Sequence, residues 1–463
     1  MELKDKILEF KDLKIDNIKS VLLVEPDFPI PNKSRNHSNF LPIGLLKIAS
    51  YFREKSKKVK LTRFVEEKDK DYHQTYLNFK KNSDNNDGPD LIFVTSIFTY
   101  WSKHVINAVL YHKIKYPNAK IIVGGIYASL MPKHCLKNTL CDNIIMGPIP
   151  EVDKCPPAYD LVDVDYQIIH TSRGCVRQCG FCGTYIIEPE WLCKSTIKEE
   201  IEENQRRQYE HNQKPLKKII FYDNNLLANP YIENVLDELI ELKKEKKITY
   251  VESQSGFDGR ILREKPHLAE KLKKAGFKNP KIAWDYSVKQ APKIKEQIDL
   301  LIGAGFAAKE ISIFMIYNYE IPYEEMEEKR QKCAEWKVQI TDCRYRPLKA
   351  EDDNYSSYKR EQGPKDYHIH EENGWSDAKV RKFRRNIRRH NICMRHEMEF
   401  HSSILERKTQ IPKEEAKIYQ RMSYDEIVKN HRDIIPDAWN PLEFHEWDEQ
   451  DYFKINKNKK KKK

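Results

Sequence analysis

The chain has 463 residues, 39% hydrophobic and 33% charged, which is enough for two or three domains with substantial cores. No run approaches the roughly 18 to 20 apolar residues of a membrane-spanning helix, and the opening M-E-L-K-D-K-I-L-E-F has the acids and lysines of a surface helix rather than a secretory signal, so a cytoplasmic, non-membrane protein is expected. Ten cysteines are too sparse for a disulfide scaffold, and a net charge of +11 favours polyanionic partners, although much of the excess lies in the closing N-K-N-K-K-K-K-K.

From Ser20 the chain alternates short apolar runs with helical stretches. S-V-L-L-V-E-P reads as a buried strand, L-P-I-G-L-L-K-I-A-S-Y-F-R-E-K as an amphipathic helix, and K-V-K-L-T-R-F and P-D-L-I-F-V-T-S as two further strands. A helix through H-V-I-N-A-V-L-Y-H-K-I, then A-K-I-I-V-G-G and D-N-I-I-M-G, completes the rhythm of a doubly wound parallel sheet over residues 1–150. The stretch from Glu67 to Asp90 reads as a loop insertion. Residues 151–166 belong to a proline-rich linker.

Six strand and helix units follow, with strands at Q-I-I-H-T, K-I-I-F-Y-D, Y-V-E-S-Q-S, K-I-A-W-D-Y, E-I-S-I-F-M-I-Y and Q-I-T-D-C-R-Y-R-P-L. Residues 167–350 are therefore expected to form a partial (β/α)6 barrel, whose chemistry sits at the C-terminal ends of its strands. Thr196 with Glu199 three residues on reads as a helix N-cap. A basic, mostly helical extension fills 351–463, ending in the lysine tail; within it Val380, Phe383 and Ile387 make an apolar stripe among Arg381, Arg384, Arg385, Arg388 and Arg389.

Directly after the first barrel strand, T-S-R-G-C-V-R-Q-C-G-F-C-G-T-Y places Cys175, Cys179 and Cys182 in eight residues. Thiolates suit zinc or iron–sulfur clusters, but a closed zinc site or a fully protein-bound cubane needs four ligands. Three leave one metal position open. Cys193 is a distant fourth candidate only if the loop folds back; Cys333, Cys343 and Cys393 fit no ligand spacing and read as buried free thiols.

The Cys-x3-Cys-x2-Cys spacing, with Phe181 before the last cysteine, resembles the radical S-adenosylmethionine (SAM) enzymes, and the T-S-R-G-C lead-in resembles their branch with an N-terminal cobalamin-binding-like domain. That resemblance implies a 4Fe–4S cluster on the three cysteines, its fourth iron chelated by SAM. One electron from an external flavodoxin- or ferredoxin-type reductant then cleaves SAM to methionine and a 5'-deoxyadenosyl radical that abstracts hydrogen from a substrate. It also implies cofactor contacts at the strand ends: Asp223 and Asn224 for the methionine amino group, though the usual Gly-Gly-Glu is absent, with Glu252, Gln254, Ser255, Asp285, Tyr317 and Asn318 lining the mouth. Arg344 and Arg346 lie beside it, suited to a carboxylate of the cofactor or a phosphate of a polyanionic substrate.

The front sheet looks like a degenerate cobalamin-binding domain. Asp-x-His-x-x-Gly is absent and the sheet ends one unit early, so bound cobalamin is possible but not favoured, with Gly124 and Gly125 as the points of close approach. Two other readings stay open: a cobalamin-dependent radical methyltransferase, and a noncatalytic metal-containing nucleic-acid binding module suggested by the charge and the arginine helix.

Overall fold

The computed structural model describes residues 3–30, 41–79, 88–211, 213, 215–357, 359 and 362–397; the lysine tail and the rest of the extension beyond 397 lie outside them. It is a mixed α/β structure built on parallel sheets. Strands β1 (Ser20–Glu25), β2 (Lys58–Arg63), β3 (Leu91–Ser96), β4 (Lys120–Gly125) and β5 (Asn143–Ile144) form one sheet in the order β2-β1-β3-β4-β5, every pairing parallel. The interior position of β1 follows from its sequence: Val21 to Val24 are all buried, as continuous apolar runs must be in a sheet covered on both faces. The Ile43–Glu54 helix packs Ile48 and Phe52 on one face, and the Ser102–Lys115 helix packs Val105 and Val109 on the other.

Two local expectations change. The supposed loop insertion contains a helix, Tyr72–Leu77, capped by Asp71 on the Gln74 amide at 2.9 Å and anchored by the buried Tyr72. The proline-rich segment is no loose tether either. It holds a turn of helix at Pro150–Asp153 and buries Val152, Ala158 and Tyr159 against neighbouring elements, because its few apolar residues all face inward.

Beyond it run two three-stranded parallel sheets. β6 (Tyr166–Ile169), β9 (Lys218–Phe221) and β10 (Tyr250–Ser253) make the first, and β11 (Lys281–Ala283), β12 (Ser312–Tyr317) and β13 (Gln339–Arg344) the second. A small antiparallel pair, β7 (Ser172–Arg173) with β8 (Leu192–Cys193), stands on the first sheet. The two sheets meet through the backbone of Phe257, which donates to Lys281 and accepts from Ala283. One apolar core runs under both, from Phe221 and Val251 to Ile282, Ile313 and Ile340.

The Asp377–His396 helix covers the outer edge of β13. Val380, Phe383 and Ile387 are buried in that same core. Asn391 accepts from the Ile340 amide and donates to its carbonyl, at 2.8 and 2.7 Å, so one side chain supplies the bonds a seventh strand would make. Of the helix's arginines, Arg384 and Arg388 face outward, while Arg381 is buried in a pair with Asp377.

Candidate functional site

The cysteine loop is fixed by its flanks. Where the chain leaves β6, Asp223, wholly buried beyond the end of β9, accepts from the Thr171 amide and hydroxyl at 3.0 and 2.6 Å and from the Ser172 amide and hydroxyl at 2.7 and 2.8 Å. Gly174 follows at φ +73°, a left-handed conformation in which an added Cβ would stand 2.3 Å from the Glu190 carbonyl oxygen; only glycine fits there. Glu188 closes the loop from its far side, accepting from the Gly174 amide at 2.7 Å, from Asn224 at 3.2 Å and from Arg173 at 3.2 Å.

Arg173 continues into the front sheet's helices. It pairs with Asp153 at 2.6 Å, and Asp153 with the nearly buried Lys47 at 2.9 Å. Burial alone would raise the Asp153 pKa, but Arg173 and Lys47 outweigh it and hold the carboxyl well below its ordinary range. The linker thus carries an ion-pair chain from the first domain to the loop.

Cys175, Cys179 and Cys182 are free thiols, each half-exposed. Burial pushes Cys179 up, followed by the charge fields of Asp285, Cys182 and Cys175, which puts all three sulfurs and Asp285 in one neighbourhood. Among the described residues no trio of His, Cys, Asp or Glu converges on a single ion. Three half-exposed thiols on one loop are a donor set that would fit a cubane, one thiolate per iron with the fourth iron left open. The loop does fold back, setting Cys193 opposite Ser172, but that thiol sits in the field of Asp223 and not among the other three.

Phe181 packs edge-on against Tyr319 at 6.0 Å, and Tyr319 continues into Tyr345 at 4.2 Å and His370 at 5.7 Å. The Tyr319 hydroxyl is close enough to the loop that a Cβ on Gly180 would meet it at 3.3 Å. Asp285, beyond β11, has its pKa raised to about 6 by burial, with Lys329 and Arg260 pulling the other way. Lys329 is fully buried, its Nζ donating to the Trp284 and Tyr286 carbonyls on either side of Asp285 at 2.7 and 3.0 Å. Burial lowers its pKa to about 8.

Asn224, Gln254, Ser255 and Asp285 are exposed or half-exposed at the strand ends. Others expected to line the mouth are turned elsewhere. Asp223 is spent on Thr171 and Ser172, and Glu252 is buried in a pair with Lys281 at 2.7 Å. Tyr317 is buried against Trp375 and Phe383 because its strand position faces the C-terminal helix. Asn318, at φ +59°, donates to the His368 carbonyl and accepts from the His370 amide, so it clamps the extension. Arg344 is buried between the Tyr355 and Tyr367 rings, 4.8 Å from each, and pairs with Asp353, which Arg346 also reaches.

Thr196 is not a cap. Glu238 takes the Thr196 hydroxyl and the Ile197 and Lys198 amides, a stronger charged acceptor for the same helix end. Gly125, at φ +100°, is needed because a Cβ would lie 2.1 Å from the Ser96 carbonyl oxygen, which accounts for that glycine within the sheet itself. The sequence reading missed Glu188, Tyr319 and Lys329. An aromatic residue two places past a strand end signals Tyr319; Lys329, inside E-E-K-R-Q-K, reads as a solvated helix face.

Six parallel strands in two sheets, with a loop of three thiols beyond the first of them, define a mixed α/β protein with a cysteine-bearing site at a strand end. Residues 169–328, which run from the last residue of β6 past β12 and include all three loop cysteines, match the family model of the Radical SAM superfamily. No curated protein matches the chain.

Proposed function

We propose that the protein is a radical SAM enzyme whose site lies at the mouth of a partial (β/α)6 barrel formed by its two three-stranded sheets. The observation that carries this reading is the half-exposed trio Cys175, Cys179 and Cys182 on one loop inside the matched domain. These residues would hold three irons of a 4Fe–4S cluster and leave the fourth for SAM. When bound, the two groups supply one-electron cleavage of the sulfonium to methionine and a 5'-deoxyadenosyl radical for hydrogen abstraction.

The chain's own residues supply position and shelter. Asp223, Gly174 and Glu188 fix the loop at both ends, so the thiols enter in one geometry. Phe181 and Tyr319 form an aromatic wall that keeps water from one side. Asn224, exposed beyond β9, accepts from the Thr184 hydroxyl at 3.1 Å and donates to Glu188 at 3.2 Å; exchanging these partners would let it meet the methionine amino group. Lys329 locks the turn that offers Asp285 beside Cys179. Anaerobic reconstitution tests the reading: roughly four irons and four sulfides per chain support it, whereas stoichiometric zinc without sulfide supports the nucleic-acid binding module.

The front sheet we read as a cobalamin-binding-like domain retained without cobalamin. In this strand order ligands bind beyond the carboxyl ends of β1 and β3. There the chain packs its own rings, Phe28 on Trp101 at 5.7 Å and Phe98 on Tyr100 at 5.0 Å. Protein incubated with cobalamin and desalted should emerge without it; equimolar retention would favour the methyltransferase.

A further inference from the structure

A cleft of about 380 Å³ opens between the Ile43–Glu54 helix of the front sheet, the linker at Pro157–Asp160 and the Lys198–Glu210 helix that precedes β9. The first helix runs back from the carboxyl end of β1, and the second runs back toward the start of β9. Residues at the ends of both, Arg53 and Glu54 with Arg207 and Gln208, therefore meet at the amino ends of the strands. The cysteine loop leaves the opposite end, so this cleft is a separate place on the molecule.

Two buried carboxamides in the cleft wall are not fully paired. Gln208, 3% exposed, makes no side-chain hydrogen bond among the described residues. Asn204, 1% exposed, donates to Gln167 at 2.8 Å, but its Oδ1 is buried without a partner. Buried polar groups are hydrogen-bonded as a rule, so open ones that line a cleft point to a ligand. The rim has no charge to spare: Arg53 pairs with Asp160 at 2.9 Å, and Arg207 with Glu54 and Glu203 at 3.4 and 2.7 Å. The other titratable side chains lining the cleft are the exposed His211 and Tyr159, whose hydroxyl accepts from the Ile168 amide at 2.7 Å. Pro157 and Ala158, both buried, give it an apolar wall.

We infer that this cleft binds a small, neutral, planar ligand whose edge carries a donor beside an acceptor, the pattern of an adenine nucleoside. The carboxamide of Gln208 holds a donor and an acceptor in one plane, and that group pairs with the amino and ring nitrogens of adenine through two bonds. The Asn204 oxygen offers a further acceptor to the amino group. A flat ring suits the Pro157–Ala158 wall, and the self-paired rim favours a nucleoside over a nucleotide. The bound ligand would bridge the front sheet, the linker and the barrel. None of this depends on the chemistry of the cysteine loop.

The test uses adenosine as the probe on the full-length protein, with affinity measured by calorimetry and the site mapped by hydrogen exchange. Adenosine should slow exchange in residues 157–160 and 204–211 and leave residues 175–182 unchanged. Gln208→Leu and Gln208→Glu should each weaken binding at least about tenfold, the size of a lost two-bond pair to adenine; the first removes both polar atoms and the second keeps the shape but gives up the donor. Circular dichroism verifies that each variant is folded. Purine riboside, which lacks the amino group, should bind the parent at least about tenfold more weakly than adenosine. Cys179→Ala should bind adenosine as the parent does. Any one of four results overturns the inference: no binding at millimolar adenosine, parent-like affinity in a folded Gln208 variant, equal affinity for purine riboside, or binding that protects only the cysteine loop and is lost in Cys179→Ala.

Discussion

Replacing Asp223 separates an anchoring carboxylate from a cofactor-binding one. Its carboxylate takes two backbone amides and two hydroxyls from Thr171 and Ser172, both of which are buried. In Asp223→Ala the hydroxyls can rotate to new partners, but the two amides cannot. Orphaning two buried donors at about 2 kcal/mol each amounts to about 4 kcal/mol. That loss falls on local opening of the loop lead-in, so exchange of the Thr171 and Ser172 amides, followed by mass spectrometry, should quicken by about a thousandfold. Iron retained after reconstitution should fall in parallel. Asp223→Asn keeps one acceptor oxygen and loses only the charge assistance, so its exchange should quicken by about tenfold and its loaded form should bind SAM as the parent does. Parent-like exchange in Asp223→Asn together with lost SAM binding would refute the reasoning, because the carboxylate would then be reaching the cofactor.

Single Cys175→Ala, Cys179→Ala and Cys182→Ala variants should each fail to retain iron, since two thiolates do not hold a cubane; Cys393→Ala, on a buried thiol in the C-terminal helix, should retain it. Asp153 has a depressed pKa, so its stabilisation is fully present above the unfolded carboxyl pKa near 4 and is lost as pH falls through the lower folded value. Asp153→Asn should cost about 2 kcal/mol at neutral pH and flatten that acid limb, as measured by urea unfolding at a series of pH values. Asn391→Ala should cost about 2 kcal/mol by freeing both backbone groups of Ile340, and should increase light scattering on mild heating as the bare edge of β13 finds other strands.

What was legible in the sequence was local. Thiols four and three residues apart declare their chemistry wherever the fold puts them, and apolar runs such as Val21–Val24 and Ile219–Phe221 are buried strands in any parallel sheet. Polar residues at strand ends were not legible in the same way. Asn224 and Asp285 are available at the mouth, while Asp223, Tyr317, Asn318 and Arg344 are committed to the cysteine lead-in or to the extension. A one-residue step along an extended chain reverses the side chain's face, and for Asn318 the partner that claims it, His368, lies 50 residues away. Lys329 shows the same limit in a helix, where only the fold reveals that its position points under β11.

The most direct measurement of the central claim is the anaerobic incubation of reconstituted protein with SAM and dithionite, followed by chromatography of the nucleoside and amino-acid products. The account predicts 5'-deoxyadenosine and methionine in equal amounts, formed only when cluster, SAM and reductant are all present and absent from the Cys179→Ala protein. Intact SAM after incubation with a protein holding its full complement of iron and sulfide would contradict it.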